Sequence, residues 1–161
     1  MSKPAANRNG KTSRQAPDLL PYAVTLEVRD RCLCLSLQRA ARLAGRRFDA
    51  ALRPFGLTNR QFSLLMALNR PEPPGLGSLA ELLAMDHATL TANLKPLERR
   101  RLLQSLPDPA DARRRRLRLT EAGRRLLLAA LPAWRSSEEA VEQAVGIAEA
   151  PSLKALLSRL S

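Results

Sequence analysis

The sequence predicts a mainly α-helical protein with one small β-hairpin. Three observations lead there. Leu, Ala, Arg and Glu, all good helix formers, dominate the 161 residues. Apolar residues recur three or four apart in segment after segment, the period of a helix face. Residues 102–120 break that period, where two short apolar runs flank the turn-forming stretch DPADARR. Hydrophobic residues make up 45% and aromatics only 3%, so the core is expected to be built from Leu and Ala.

Residues 1–17 are polar and basic, with Pro4, Gly10 and Pro17, and read as a disordered arm. Within 18–55, a stripe from Val24 runs through Leu37, Ala40, Ala44 and Phe48 to Phe55. Pro54 and Gly56 end this long first helix. Thr58 and Gln61 make a capping box for a second helix carrying Phe62, Leu65 and Met66. The stretch RPEPPGLG (70–77) is a firm break, after which Ser78 is expected to cap a short third helix. Asp86 caps a fourth, in which Leu90, Leu94 and Leu97 form one apolar stripe. His87, Thr89, Thr91, Ala92, Asn93 and Lys95 lie off that stripe. Pro96 inside this helix removes one backbone hydrogen bond, at a cost of about 3 kcal/mol in an isolated helix.

A short helix, a tight turn and a second helix with a polar outer face form a helix-turn-helix. In that layout the second helix enters the major groove by its N-terminal half. The runs 102–107 and 116–120 then read as the two strands of a wing. Leu117 and Leu119 would pack on the core, with Arg113 to Arg116 at the tip and edge. A narrow minor groove attracts such arginines by its enhanced negative potential. Residues 56–120 are thus expected to be a winged helix-turn-helix lobe.

Thr120 and Glu121 open another helix that runs to about Gly146 and is kinked at Pro132. Pro151 and Ser152 start a last one with Leu153, Leu156, Leu157 and Leu160. The helices of 18–55 and 121–161 are amphipathic and lie outside the reading lobe. A second copy of the chain is the simplest surface to cover them. A homodimer also suits a pseudo-palindromic operator with half-sites about 34–36 Å apart.

Charge supports the same partner. Lys plus Arg is 27 against 15 acidic residues, an excess of +12 that calls for an anion, double-stranded DNA first. A solubility charge accounts for the excess but not for five arginines within the six residues 113–118. There is no run of about 18 apolar residues, so no membrane span is expected. The N-terminus lacks the apolar stretch of a secretory signal, and a cytoplasmic protein is expected. Cys32 and Cys34 point apart on a helix, so no disulfide is expected. Two cysteines and one histidine make no zinc site. No Ser-His-Asp set, glycine-rich phosphate loop or carboxylate pair stands out, and neither an enzyme nor a cofactor is expected.

Three motifs in this order resemble the MarR family of winged-helix transcriptional regulators. They are GLTNRQFSLLMAL (56–68), LAELLAMDHATLTANLKPLERRRLL (79–103) and DPADARRRRLRLTEAG (108–123). In the last, Asp111, Arg113, Leu119, Thr120 and Gly123 match the family's wing pattern. The resemblance covers roughly residues 24–161. It implies a homodimer joined by its terminal helices, with the fourth helix in the major groove and the Arg113 tip in the minor groove. It also implies that Asp111 holds Arg113 by an ion pair. Many relatives are repressors released by small aromatic, phenolic or acyl ligands, and others sense oxidants through cysteine. The sequence departs from the family at Ala92 and Ala112, where many relatives carry Arg, and at Arg101, which replaces a common Gly.

The candidate DNA contacts are therefore His87, Thr89, Thr91, Asn93 and Lys95 on the helix, and Asp111, Arg113, Arg114 and Arg115 on the wing. Phe48, Phe62, Met66 and Trp134 are candidates for an effector pocket, or else fill the junction between helices. Cys34 lies at a distance from Gly56 that resembles the peroxide-sensing cysteine of one family branch. Gln38 and Phe48 replace the tyrosines that support it there, and a reactive thiol needs activation and exposure. Two readings compete with the ligand-released repressor: a redox-sensing regulator acting through Cys34, and a nonspecific basic nucleic-acid-binding protein.

Overall fold

A computed structural model of the chain describes residues 20–111 and 113–160. The basic arm expected at 1–17 lies outside the described residues. The chain divides into two units, 1–39 and 40–161.

The first unit contains α1 (Tyr22–Arg31) and the start of α2 (Leu33–Leu52). One long helix was expected here, and the structure breaks it at Cys32, whose ψ is 102°. The Cys32 Sγ accepts the Leu35 N–H at 3.3 Å, in the position of an N-cap oxygen, and so restarts the helix. Within α1 no residue is buried, and Tyr22 and Val28 stand exposed.

In the second unit α2 ends in a 3-10 turn (Arg53–Phe55). There follow α3 (Asn59–Ala67), α4 (Leu76–Leu82), α5 (His87–Arg99), β1 (Leu103–Pro107), β2 (Arg115–Leu119), α6 (Glu121–Val145) and α7 (Ala150–Leu157). A closing 3-10 turn covers Ser158–Leu160. The expected capping box is present in full: Thr58 Oγ1 accepts from Gln61 N–H, and Gln61 Oε1 accepts from Thr58 N–H. α4 starts three residues earlier than expected. Gly75 holds its N-cap position, and Ser78 sits in the first turn, donating its hydroxyl to the Gly75 carbonyl at 3.1 Å.

The core, expected to be built from Leu and Ala, is mostly leucine, with Ala80, Ala130, Ala150, Phe48 and Phe62 also buried. Leu52, Leu64, Leu65, Leu79, Leu90, Leu97, Leu103 and Leu119 are its largest fully buried side chains. Each contributes roughly 1.5–3 kcal/mol on leaving water. The hairpin is antiparallel, with Leu103 opposite Leu119 and Ser105 opposite Leu117. Sequence reading missed a third piece of sheet. The segment before α4 runs beside β2, where the Leu117 N–H donates to the Pro74 carbonyl at 2.9 Å and Gly75 bridges Arg116. Proline lacks an N–H to offer a sheet, yet its carbonyl still accepts, and that is how Pro74 serves an edge.

The same C-terminal geometry ends three helical segments. Gly56, Ala84 and Arg101 take φ values of 64°, 48° and 57°. The last two are positions that glycine occupies more easily. At Ala84 the N–H donates to the Glu81 carbonyl and the next N–H to that of Ala80, at 3.1 and 2.9 Å. At Arg101 the equivalent bonds reach Glu98 and Leu97, at 2.8 and 3.0 Å. These are Schellman motifs, which satisfy helix-end carbonyls while turning the chain. Ala84→Gly is expected to stabilise the protein by about 0.5–1 kcal/mol, because relief of left-handed strain exceeds the added unfolded-state entropy. A denaturant titration measures it, and an unchanged or lower midpoint contradicts it.

Candidate nucleic-acid interface

α4, the Ala84 turn and α5 together present one helix outward. Leu90, Leu94 and Leu97 bury its inner stripe, at 0%, 6% and 0% exposure. His87, Ala88, Thr91, Ala92 and Lys95 are exposed on the other side. Asp86 starts the helix: its carboxylate accepts the Thr89 N–H at 2.8 Å and the Thr89 hydroxyl at 2.6 Å. Those bonds, the hydroxyl's first, hold Asp86 below the usual carboxylate range.

The candidate residues differ in how they stand. Thr89 and Asn93 are half-buried. Thr89 serves the cap, and Asn93 donates its amide to the Thr89 carbonyl at 2.8 Å. Thr91 donates its hydroxyl to the His87 carbonyl at 2.7 Å. With the hydroxyl engaged, Thr91 adds a methyl beside Ala88 and Ala92, a surface able to meet thymine methyl groups. His87 and Lys95 stand exposed near the two ends of this patch. Arg100, at the end of α5, has a structural duty. Its guanidinium donates to the carbonyls of Gly56 and Phe55 and ties the end of α5 to the turn before α3.

The wing corrects two expectations. Asp111 was expected to pair with Arg113. Its carboxylate instead accepts the Arg113 main-chain N–H at 3.0 Å, and its ion pair is with Arg114 at 3.4 Å, three residues on. The turn sets this: the Arg114 N–H donates to the Asp111 carbonyl at 2.9 Å, which draws those two residues together. Arg113 to Arg116 were also expected to share the tip and edge. Arg115 lies back across the hairpin, donating to the Ser105 hydroxyl at 2.9 Å and its carbonyl at 3.1 Å. Arg116 pairs with Asp108 at 2.9 Å, where the Asp108 side chain is only 14% exposed. Arg113 and Arg114 remain exposed at the tip. Arg116, and next the Ala110 N–H, hold Asp108 below the usual carboxylate range.

Both depressed carboxylates link stability to pH. Their contribution is complete above about pH 4, the ordinary carboxylate value, and is lost as pH falls through their lower folded values. Asp108→Asn is therefore expected to lose less stability than the parent between about pH 5 and about pH 3. Thermal melts at both values test this, and equal losses refute it.

The other candidates lie elsewhere. Trp134 stacks on Phe62 at 6.0 Å and on Phe48 at 6.4 Å between ring centroids, so these three rings pack on one another. Met66 stands apart on a shallow cleft of about 260 Å3, with Asn69, Arg124, Leu127, Leu128 and Leu131. Cys34 is exposed, and its Sγ accepts the Gln38 amide at 3.3 Å. No cluster of metal-ligating side chains occurs among the described residues, and no helix of the structure is long and apolar enough to cross a membrane.

An exposed polar helix behind a short helix and turn, with a cationic hairpin following it, defines the winged helix-turn-helix class of nucleic-acid readers. Comparison with known proteins agrees. The MarR family model matches residues 57–114. The MosR transcriptional regulator of M. tuberculosis, solved in complex with DNA, is 37% identical, with 81% of this chain and 93% of that one covered at a TM-score of 0.73. BpsR of Bordetella bronchiseptica, whose structure concerns regulation of DNA binding by 6-hydroxynicotinic acid, is 27% identical over 80% of this chain and 97% of that one, with a TM-score of 0.71. The transcriptional repressor NicR of Pseudomonas putida is 34% identical over 104 residues, 65% of this chain. That match spans 66% of the repressor's own length. The chain belongs to the MarR family.

Proposed function

We propose that the protein is a dimeric, sequence-specific DNA-binding transcriptional regulator, a repressor released by a small aromatic, phenolic or acyl ligand. One observation carries the reading: α5 buries a leucine stripe and turns His87, Thr91 and Lys95 outward, immediately before a hairpin tipped by Arg113 and Arg114. α5 and the tip suit adjacent grooves of one duplex, with His87, Thr89, Thr91, Asn93 and Lys95 at the major groove and Asp111 ordering the tip. The effector part rests on family relatives such as BpsR. The Met66 cleft, apolar but carrying Arg124 and Asn69, offers such a ligand both a wall and polar partners.

Selection of bound fragments from the source genome tests the main reading. A specific reader prefers its operator over random duplex by roughly a thousandfold or more at physiological salt. Binding without preference favours a basic coat protein instead. Loss of binding on peroxide treatment, prevented by Cys34→Ser, favours the redox reading.

The exposed leucines Leu153, Leu156, Leu157 and Leu160 support a dimer contact through the C-terminal segment. Lys154 fastens this segment to α6 through Glu142 and Glu138, at 2.9 and 3.0 Å. Removal of 151–161 is expected to raise the dimer dissociation constant at least tenfold, about 1.4 kcal/mol. A truncated chain that sediments as a full dimer at the same concentrations contradicts it.

A further inference from the structure

Outside the helix and the wing, a second basic feature borders the reading helix. A cleft of about 590 Å3 opens between the C-terminal half of α2 and the start of α3. Arg42 and Arg46, one helical turn apart on α2, line it together with Arg60, Thr58 and Asn59. Asn93 of α5 forms part of the same wall. One carboxylate, Asp49, lines the cleft, and it accepts the Asn59 N–H at 2.6 Å, so it serves the start of α3. Arg46 and Arg60 are exposed, and among the described residues neither is in an ion pair.

We propose that this cleft receives a phosphate of the DNA backbone, with Arg46 and Arg60 as its donors and the α2–α3 corner as a second anchor for the lobe. The proposal rests on the DNA-binding reading above. The major groove is about 12 Å wide and a helix with its side chains about 10–12 Å across, so an inserted helix fills it. Whatever flanks that helix then confronts a phosphate strand. A cleft walled by Asn93 of the helix itself is such a flank. Guanidinium forks suit phosphate oxygens, and an open cleft admits a strand that an enclosed cavity would not. Backbone contacts of this kind set register and orientation and carry no base information.

The test uses Arg46→Ala, Arg60→Ala and the double variant of the full chain, with fluorescence anisotropy on a selected operator and on a random 30-base-pair duplex (about three helical turns). The double variant is expected to reduce the slope of log affinity against log salt by roughly one to two, about 0.9 per phosphate. Affinity for both duplexes should fall by the same factor, leaving the preference unchanged. Arg46→Lys and Arg60→Lys should retain most of the slope. Arg46→Gln and Arg60→Gln keep the aliphatic stem and serve the same test where the alanine variants fold poorly. An unchanged slope in the double variant overturns the proposal, and so does a lost preference at constant slope. A parent chain that binds neither duplex overturns the DNA-binding reading itself, whereas normal parental binding with an unchanged variant slope removes only the cleft.

Discussion

Gly123→Ala is expected to cost about 3 kcal/mol, which lowers the melting temperature by roughly 6–12 °C for a chain of this size. The N-terminal turn of α6 rests directly on the connection out of α5. A Cβ at Gly123 would overlap the Leu102 carbonyl oxygen and meet Leu119 Cδ1 at 2.7 Å. Neither neighbour can yield cheaply. The Leu102 carbonyl accepts the Thr120 N–H at 3.1 Å, and Leu119 is 1% exposed in the core. Thr120 holds the same junction from the other side. Its hydroxyl oxygen accepts the Gly123 N–H at 3.1 Å and donates to the Arg101 carbonyl at 2.7 Å. The Leu-Thr-x-x-Gly pattern is therefore one joint: Leu119 fills, Thr120 ties and Gly123 makes room. A melt within about 2 °C of the parent would mean that α6 can lift away at no cost.

Arg113→Ala combined with Arg114→Ala should reduce operator affinity roughly 10- to 100-fold and lower the salt slope by about one to two. The two side chains stand exposed at the tip, while Arg115 and Arg116 are drawn back to Ser105 and Asp108. Arg115→Ala should consequently have the smaller effect on binding. Titration over a range of salt separates the cases. An unaltered slope in the double variant would place the tip away from the duplex. A larger loss from Arg115 than from the tip pair would mean that the hairpin opens on binding.

Three helix starts were legible because a cap spans three residues, whereas α4 has its N-cap at Gly75 and not at the Ser78 that resembles a cap. Thr58 with Gln61, Asp86 with Thr89, and Thr120 with Gly123 each form the local bond their spacing suggests. The leucine stripe of α5 was legible for a similar reason, since the helical period alone sets which side is buried. The break at Cys32 was not, because cysteine is no ordinary cap and the apolar period runs straight through it. The edge made by Pro74 and Gly75 was not, because prolines and glycines announce a break without saying what their carbonyls will meet. The wing's arginines were legible as a group but not one by one. Which of them reach the tip depends on the register that sets Arg115 opposite Pro107 and on Asp108, eight residues before Arg116.

Sequence alone settled the order of elements from α3 onward, the leucine-rich core, the polar outer side of the reading helix and the concentration of positive charge on one hairpin. Each of these follows from residues within a turn or two of one another. Folding in space decided which arginines are tied down, why position 123 has room for nothing larger than glycine, and how the α2–α3 corner gathers its guanidinium groups against Asn93. Those outcomes depend on groups that meet only after distant segments pack, and neither spacing nor composition encodes how closely two backbones will approach.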